Sequence, residues 1–309
     1  MITERYDLIV IGAGAGGLTA AMFANGVGKK VAVIERAKLG GDCTWAGCMP
    51  SKALLNIAKH VHAARVGYRY GITVSAPTVD MKIVRQHIQA VIQKVYSEET
   101  PKVFQKRGIE VVLGEARFTD PFTIRVGERM LTAKKFIVAT GARAAIPPIP
   151  GLDSVKYFTN ENFFDNDHLP EHLLIMGAGP ISMEMGQAYS RLGAKVTIIG
   201  QSVMPRDEPE AVDVLKRVFA GEGVTLREGT VTAVQKENGI ICLTLNDGSD
   251  VRGDMLLVAV GRTPNVDTLD LDKAGVAYTK QGIHVNAHLQ TNIPHIYAVG
   301  DVTDGPKFT

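Results

Sequence analysis

The sequence predicts an α/β fold with two parallel sheets, and two observations carry that prediction. Near the start, an apolar strand, a glycine-rich turn and a helix follow in succession, and about midway the same succession recurs. The bulk composition is compatible with this. Of 309 residues, 45% are hydrophobic and 32 are glycine, enough for many tight turns. At this length two domains are the natural expectation.

The first copy begins with residues 6–11 (YDLIVI), a short apolar strand. Gly12-Ala13-Gly14-Ala15-Gly16-Gly17 follows, then a helix opening at Leu18. Strand, glycine turn and helix stand in the order of a dinucleotide-binding motif. Gly12 permits the tight turn, Gly14 lets a pyrophosphate approach the backbone, and Gly17 lets helix pack on strand. The next strand, 30–34, ends at Glu35, where a carboxylate can bind ribose hydroxyls at close to the expected ~20-residue spacing. Arg36 follows it.

The second copy has a strand at 172–176, the turn Gly177-Ala178-Gly179-Pro180, a helix at 181–192 and a strand at 195–199. Gly200 occupies the place of the acid, followed by Gln201 and Ser202. A carboxylate there favours NAD and repels a 2′-phosphate, so its absence permits NADP. Arg206 is a source of positive charge a few residues on, and the alternative is that Gly200 simply relaxes selectivity. Two Rossmann-like, three-layer ββα dinucleotide-binding domains imply two cofactors, a nicotinamide that gives hydride and an acceptor at the first site. Flavin is the obvious acceptor beside a thiol pair.

That pair is Cys43-Thr44-Trp45-Ala46-Gly47-Cys48, preceded by Gly40-Gly41 and followed by Met49-Pro50-Ser51-Lys52. Pro50 suits the first turn of a helix, which puts Cys48 at a helix N-terminus, where the dipole favours a thiolate. As a structural staple, so short a ring would contribute only about 2 kcal/mol. A chain of this size buries a core without it, and three cysteines make no disulfide framework. A redox role is the better reading.

Other function classes are excluded on simple grounds. A net charge of +2 does not suggest nucleic acid, and no apolar run reaches membrane-span length. No secretory leader is expected, and the cytoplasm is the default compartment. The eight histidines show no metal-ligand spacing, so no metal site is expected. Cys242 reads as a buried strand thiol. Between the motifs, 81–106 is helical with a break at Pro101. Segments 110–113, 116–119 and 122–126 read as a meander leading to a strand at 136–139. Residues 147–151 form a stiff linker, 208–221 a helix, and 231–236 with 240–245 a hairpin around Asn238-Gly239.

Taken together, these motifs resemble the pyridine nucleotide–disulfide oxidoreductases, in the branch of dihydrolipoamide dehydrogenase, glutathione reductase and mercuric reductase. The likeness covers nearly the whole chain. Ala139-Thr140-Gly141 with Arg143 resembles the crossing between the two nucleotide domains. Val260-Gly261-Arg262-Thr263-Pro264-Asn265 resembles the segment closing the second. Ile296 to Asp301 resembles the strand whose aspartate binds the ribityl chain of FAD. The resemblance implies an FAD domain at 1–150, an NAD(P) domain inserted at 151–274, and a return to the FAD domain at 275–309.

It also implies roles. Cys43 is the interchange thiol and Cys48 the thiolate against the flavin, while Lys52 lies near the ring, paired with Glu184. Gly12, Gly14, Gly17, Glu35, Arg36, Gly41, Asp42, Thr140, Gly141 and Asp301 belong to the FAD site, and Gly177, Gly179 and Gly261 to the NAD(P)H site. Pro180 stands where relatives often carry a gating side chain. Asp42 departs from the threonine frequent before the first cysteine, and Thr44-Trp45 departs from the usual aliphatic–asparagine pair. Those departures put the substrate in doubt. Trp45 either lines a substrate approach or simply packs.

Family members continue into a further domain that forms a homodimer and supplies a His–Glu pair, so this chain is expected to lack the dimer interface and that base. The expected function is electron transfer from NAD(P)H through FAD and Cys43–Cys48 to a small-molecule disulfide or other oxidant. Two alternatives stand beside it: a mercuric-type metal-ion reductase, and a cofactor-binding module without turnover.

Overall fold

The computed structural model describes residues 3–307. Met1, Ile2, Phe308 and Thr309, which fall within the first and last expected segments, lie outside the described residues. The chain divides into two compact units. One comprises the residues up to Trp45, Gln93–Arg143 and Arg262 onward, and the other Ala46–Ile92 and Ala144–Gly261.

The first unit is built on a parallel sheet in the order Glu110–Leu113, Val31–Glu35, Thr3–Ile11, Arg129–Val138. Ile296–Ala298 joins the far side of the last strand, also in parallel. Central strands of such a sheet are covered on both faces, so they read as unbroken apolar runs. Here Ile9, Ile11 and Ile34 enter one cluster with Phe136 and Val138, while Leu8, Val10 and Val33 enter another with Leu18 and Phe104. Alternation across the pleat thus serves two cores at once. The second cluster lies under the helix Ala15–Gly26, whose Leu18 and Ala21 are buried. The first lies under an antiparallel meander formed by Ala116–Asp120, Thr123–Val126 and the start of Arg129–Val138.

Residues 110–113 differ from expectation. They do not open that meander but pair in parallel with Val31–Glu35 on the opposite side of the sheet. The helix Pro101–Lys106 precedes them, and a chain returning from a helix onto a sheet enters parallel to its neighbour. The interruption expected at Pro101 is present, with helices at Met81–Tyr96 and Pro101–Lys106.

Where these strands begin, Glu4 accepts two bonds from Arg129, at 2.6 and 3.1 Å, and Arg129 also bonds Glu110 at 2.7 Å. The buried Tyr6 hydroxyl lies 2.8 Å from Glu4 and 2.6 Å from Glu110. Arg129 first, then Tyr6, hold the Glu4 carboxyl below its ordinary value. A carboxylate depressed on folding stabilises the fold above its unfolded value, about 4.3, and that contribution disappears as pH falls through the folded value. Glu4→Gln should therefore be less stable than wild type at neutral pH. The gap should narrow below about pH 4, as read by urea denaturation at several pH values; a gap that widens in acid would contradict this origin.

The second unit repeats the plan. Val224–Glu228, Lys195–Gly200, His172–Met176 and Met255–Val258 form a parallel sheet in that order. A separate antiparallel sheet of Val231–Glu237, Ile240–Leu245 and Asp250–Gly253 packs on it through Val234, Leu243, Leu174 and Met176. Asn238 (φ +50°) and Gly239 (φ +88°) turn the first hairpin, the paired positive φ values its right-handed twist favours. Each unit thus stacks a helix layer, a parallel sheet and an antiparallel layer, the ββα arrangement expected from sequence.

Candidate active site

The two glycine turns have the same local geometry. Gly12 has φ +103° and its N–H donates to Ile34 O at 2.8 Å; Gly177 has φ +102° and donates to Ile199 O at 2.7 Å. A Cβ on Gly12 would fall 2.3 Å from Ala139 O, and one on Gly177 would fall 2.2 Å from Ala259 O. Only glycine fits either place. Beyond each turn the next glycine begins a helix, Ala15–Gly26 after Gly14 and Pro180–Leu192 after Gly179. Over Gly179 a Cβ would meet nothing within 4 Å, and over Gly14 only Gly41 at 3.8 Å. That open space above a helix N-terminus is what a dinucleotide pyrophosphate requires. Gly17 packs its helix on the turn, since a Cβ there would lie 2.0 Å from Gly12 O.

The turns differ at the acid. Strand register aligns Ile11 with Ile34 and Met176 with Ile199, so Gly200 corresponds to Glu35. The Glu35 carboxylate accepts from the N–H of Ala13 at 2.9 Å and of Ala37 at 2.8 Å, which aims it at the glycine turn. At Gly200 a Cβ would lie 2.7 Å from Ala178 Cβ, so the position has no room for a side chain. Ala178 O instead accepts from Met204 N at 2.9 Å.

The thiol segment is anchored in the first unit. Gly41–Trp45 forms a single helical turn, and a Cβ on Gly41 would lie 2.6 Å from Gly14 Cα, so bare backbone meets bare backbone. Thr44 Oγ1 donates to Glu99 at 2.8 Å. Trp45 packs: its Nε1 donates to Leu39 O at 2.8 Å, its ring meets Tyr96 edge-on at 4.8 Å, and Lys38 Nζ lies 4.2 Å over it. Cys43 and Cys48 are each half-buried. Cys48 opens the helix Cys48–Val66, with Pro50 in the first turn as expected. In the second unit, Lys52 Nζ meets both oxygens of Glu184, at 2.6 and 2.9 Å, joining that helix to Pro180–Leu192.

Gly12, Glu35, Arg36, Thr140 and Asn265 share the lining of one pocket in the first unit. Thr140 Oγ1 donates to Asn265 O at 2.8 Å, Asn265 Nδ2 returns a bond to Thr140 O at 2.9 Å, and Asn265 N donates to Gly141 O at 2.9 Å. Behind these residues sits Arg262, whose side chain is only 8% exposed. Its Nη2 pairs with Asp42 and donates to Ala142 O at 2.6 Å, and its Nε donates to Asp301 at 3.1 Å. Nη1 is buried and has no partner among the described residues.

An orphaned guanidinium donor together with an open glycine cradle is a setting that suits an anionic cofactor such as FAD. Gly12, Gly14, Glu35, Arg262 and Asp301 would hold it. Sequence reasoning quoted Arg262 and Asn265 inside a motif but did not single them out; the arginine in Gly261-Arg262-Thr263-Pro264 was the available signal. Gly261 itself (φ +145°) has open space beside it. Elsewhere, Cys242 lies in a strand as expected but is half-buried rather than buried; partial desolvation first and Asp250 second push its thiol up. No group of three or more potential metal ligands occurs among the described residues.

Comparison with known proteins accords with this arrangement. A mercuric reductase of Staphylococcus aureus is 34% identical over 310 residues, covering 98% of this chain and 57% of the relative. One of Shigella flexneri is 36% identical, covering 97% and 56%. A dihydrolipoyl dehydrogenase of Thermus scotoductus is 35% identical, covering 98% and 67%. Among solved structures, the HOCl-induced flavoprotein disulfide reductase RclA of Escherichia coli superposes with a TM-score of 0.87 at 27% identity, covering 98% of this chain and 67% of that one. The chain thus spans a little over half the length of the mercuric reductases it matches. The sequence profile of the pyridine nucleotide-disulphide oxidoreductases, whose members use FAD and NAD(P)H, matches residues 6–309. Twin glycine turns, a thiol segment set against the first of them and near end-to-end agreement with that profile lead to one conclusion: the chain belongs to the pyridine nucleotide-disulphide oxidoreductase family.

Proposed function

We propose that this chain is the cofactor- and thiol-bearing part of an NAD(P)H-dependent disulfide reductase. The net reaction takes NAD(P)H, a proton and a disulfide to NAD(P)⁺ and two thiols. The observation that supports it most is the close agreement of two nucleotide turns in one chain, with the segment that bears Cys43 packed against the first. Bound flavin supplies the two-electron relay between nicotinamide and sulfur.

The chain's own residues do the rest. The Cys43 thiolate attacks one sulfur of the substrate, forming a mixed disulfide, and the other sulfur leaves as a thiol after taking a proton. Cys48 then attacks Cys43 sulfur, releases the second thiol and restores the Cys43–Cys48 disulfide. Lys52, held by Glu184, sets a fixed positive charge near the reacting centre. In the domain reading, 1–150 and 275–309 hold FAD and 151–274 holds the nicotinamide. We infer that the working form is a homodimer.

For the nicotinamide site we favour NADPH. Gly200 presents no carboxylate to a 2′-phosphate, and contact with Ala178 leaves no room for one. The test is anaerobic addition of one equivalent of NADPH or NADH to the flavin-loaded chain, followed by alkylation and mass analysis. Two new labels, at Cys43 and Cys48, should appear, with NADPH at least about tenfold more efficient, a 1.4 kcal/mol preference. Absence of new thiols with either nucleotide would remove the reading.

A second reading takes a metal ion as acceptor. Its support is similarity to proteins named mercuric reductases. Hg(II)-dependent NADPH oxidation by the full-length protein distinguishes it from disulfide reduction.

A further inference from the structure

The first unit contains a charge arrangement that the proposed reaction does not by itself require. Asp42 immediately precedes Cys43, and its carboxylate pairs with Arg262 Nη2 although 220 residues separate them. The same guanidinium reaches Asp301 through Nε at 3.1 Å and Ala142 O through Nη2 at 2.6 Å. Arg262 is 8% exposed, Asp301 15% and Asp42 37%. One buried cation is therefore shared by two carboxylates, one of them on the residue next to the first thiol.

We propose that Asp42 is a positioning residue that sets the redox poise of the Cys43–Cys48 pair through Arg262. Two effects of the pairing point the same way. Mechanically, Asp42 ties the single helical turn Gly41–Trp45 to Arg262, in the strand Arg262–Pro264, and thence to Asp301 in the turn Gly300–Val302. Neither of those two segments shares a strand ladder with Gly41–Trp45, and the guanidinium ties the thiol segment to both. Electrostatically, reduction takes one disulfide, two electrons and two protons to two thiols and increases negative charge at sulfur whenever a thiol ionises. A carboxylate beside Cys43 opposes that change, and in a half-buried setting the opposition is weakly screened. Glu99, held one residue away by Thr44, adds to it. Asp42 thereby keeps the pair more reducing than a neutral residue at that position would.

This inference rests on the redox reading of the cysteines, and the experiment separates the two. Wild type, Asp42→Asn and Asp42→Glu, each with its flavin content checked by visible absorbance, are equilibrated in dithiothreitol redox buffers. The state of Cys43 and Cys48 is then read by alkylation and mass analysis. Asp42→Asn, which keeps the shape and removes the charge, should shift the equilibrium about tenfold toward the dithiol, which is about 30 mV more positive. Asp42→Glu should stay within a factor of two or three of wild type. An unshifted Asp42→Asn, or equal shifts in both variants, overturns the electrostatic role while leaving the redox assignment intact. If the wild-type cysteines form no disulfide at any poise, the functional reading itself fails.

Discussion

Serine at Cys43 or Cys48 is expected to reduce NADPH-dependent disulfide reduction by on the order of 10³-fold or more, because each variant removes one of the two sulfurs that must alternate as nucleophile and leaving group. The two variants should differ in a diagnostic way. Cys43→Ser removes the sulfur proposed to meet substrate but leaves Cys48 at the start of its helix. Cys48→Ser removes the inner sulfur, so the long-wavelength absorbance of the two-electron-reduced protein should vanish there and survive in Cys43→Ser. NADPH oxidation with an artificial electron acceptor should persist in both, since neither substitution touches a glycine turn. Retention of the long-wavelength band in Cys48→Ser would reverse the assignment of inner and outer thiol. Loss of acceptor-linked NADPH oxidation in both variants would mean that the thiols do more than pass electrons outward.

Alanine at Gly12 and at Gly177 should each be costly, and the two should fail differently. Both residues sit at φ close to +100°, where an L side chain is strained by roughly 1–3 kcal/mol. Each new Cβ would also lie only 2.2–2.3 Å from a carbonyl oxygen of the adjoining crossover, so the strand end must move. The combined cost is on the order of 3 kcal/mol or more, a large part of the stability of an ordinary domain. Gly12→Ala disturbs the turn beside Glu35 and Thr140, and should yield protein with little bound flavin. Gly177→Ala lies in the other unit. It should keep its flavin but lose reduction by NADPH, which stopped-flow absorbance at the flavin band measures directly. If Gly177→Ala emptied the flavin site as fully as Gly12→Ala, assignment of the two turns to two different nucleotides would be untenable.

Much of this architecture was legible in the chain because its signals are local. A glycine at Gly12 or Gly177 is demanded by its own backbone angle and its immediate neighbours. The apolar runs at 6–11 and 172–176 announce strands covered on both faces, and Asn238-Gly239 announces a hairpin. Pro50 behind Cys48 marks the first turn of a helix. The strand at 110–113 was misplaced for the converse reason. Three consecutive apolar residues, Val111 to Leu113, announce a strand, but whether it joins a meander or the far edge of a sheet depends on which edge is open, and that is a property of the whole sheet.

The sequence alone therefore determined that two nucleotide-binding turns and one redox-suited cysteine pair coexist in an α/β chain, because each of those features is specified within a few consecutive residues. Tertiary structure decided which charges meet. Asp42 finds Arg262, Arg262 divides itself between Asp42 and Asp301, Glu35 turns back onto Ala13, and Trp45 packs on Tyr96. Such pairings join residues tens to hundreds of positions apart. Their partners are selected by burial, since a guanidinium withdrawn from water must find acceptors among whatever groups the fold brings beside it.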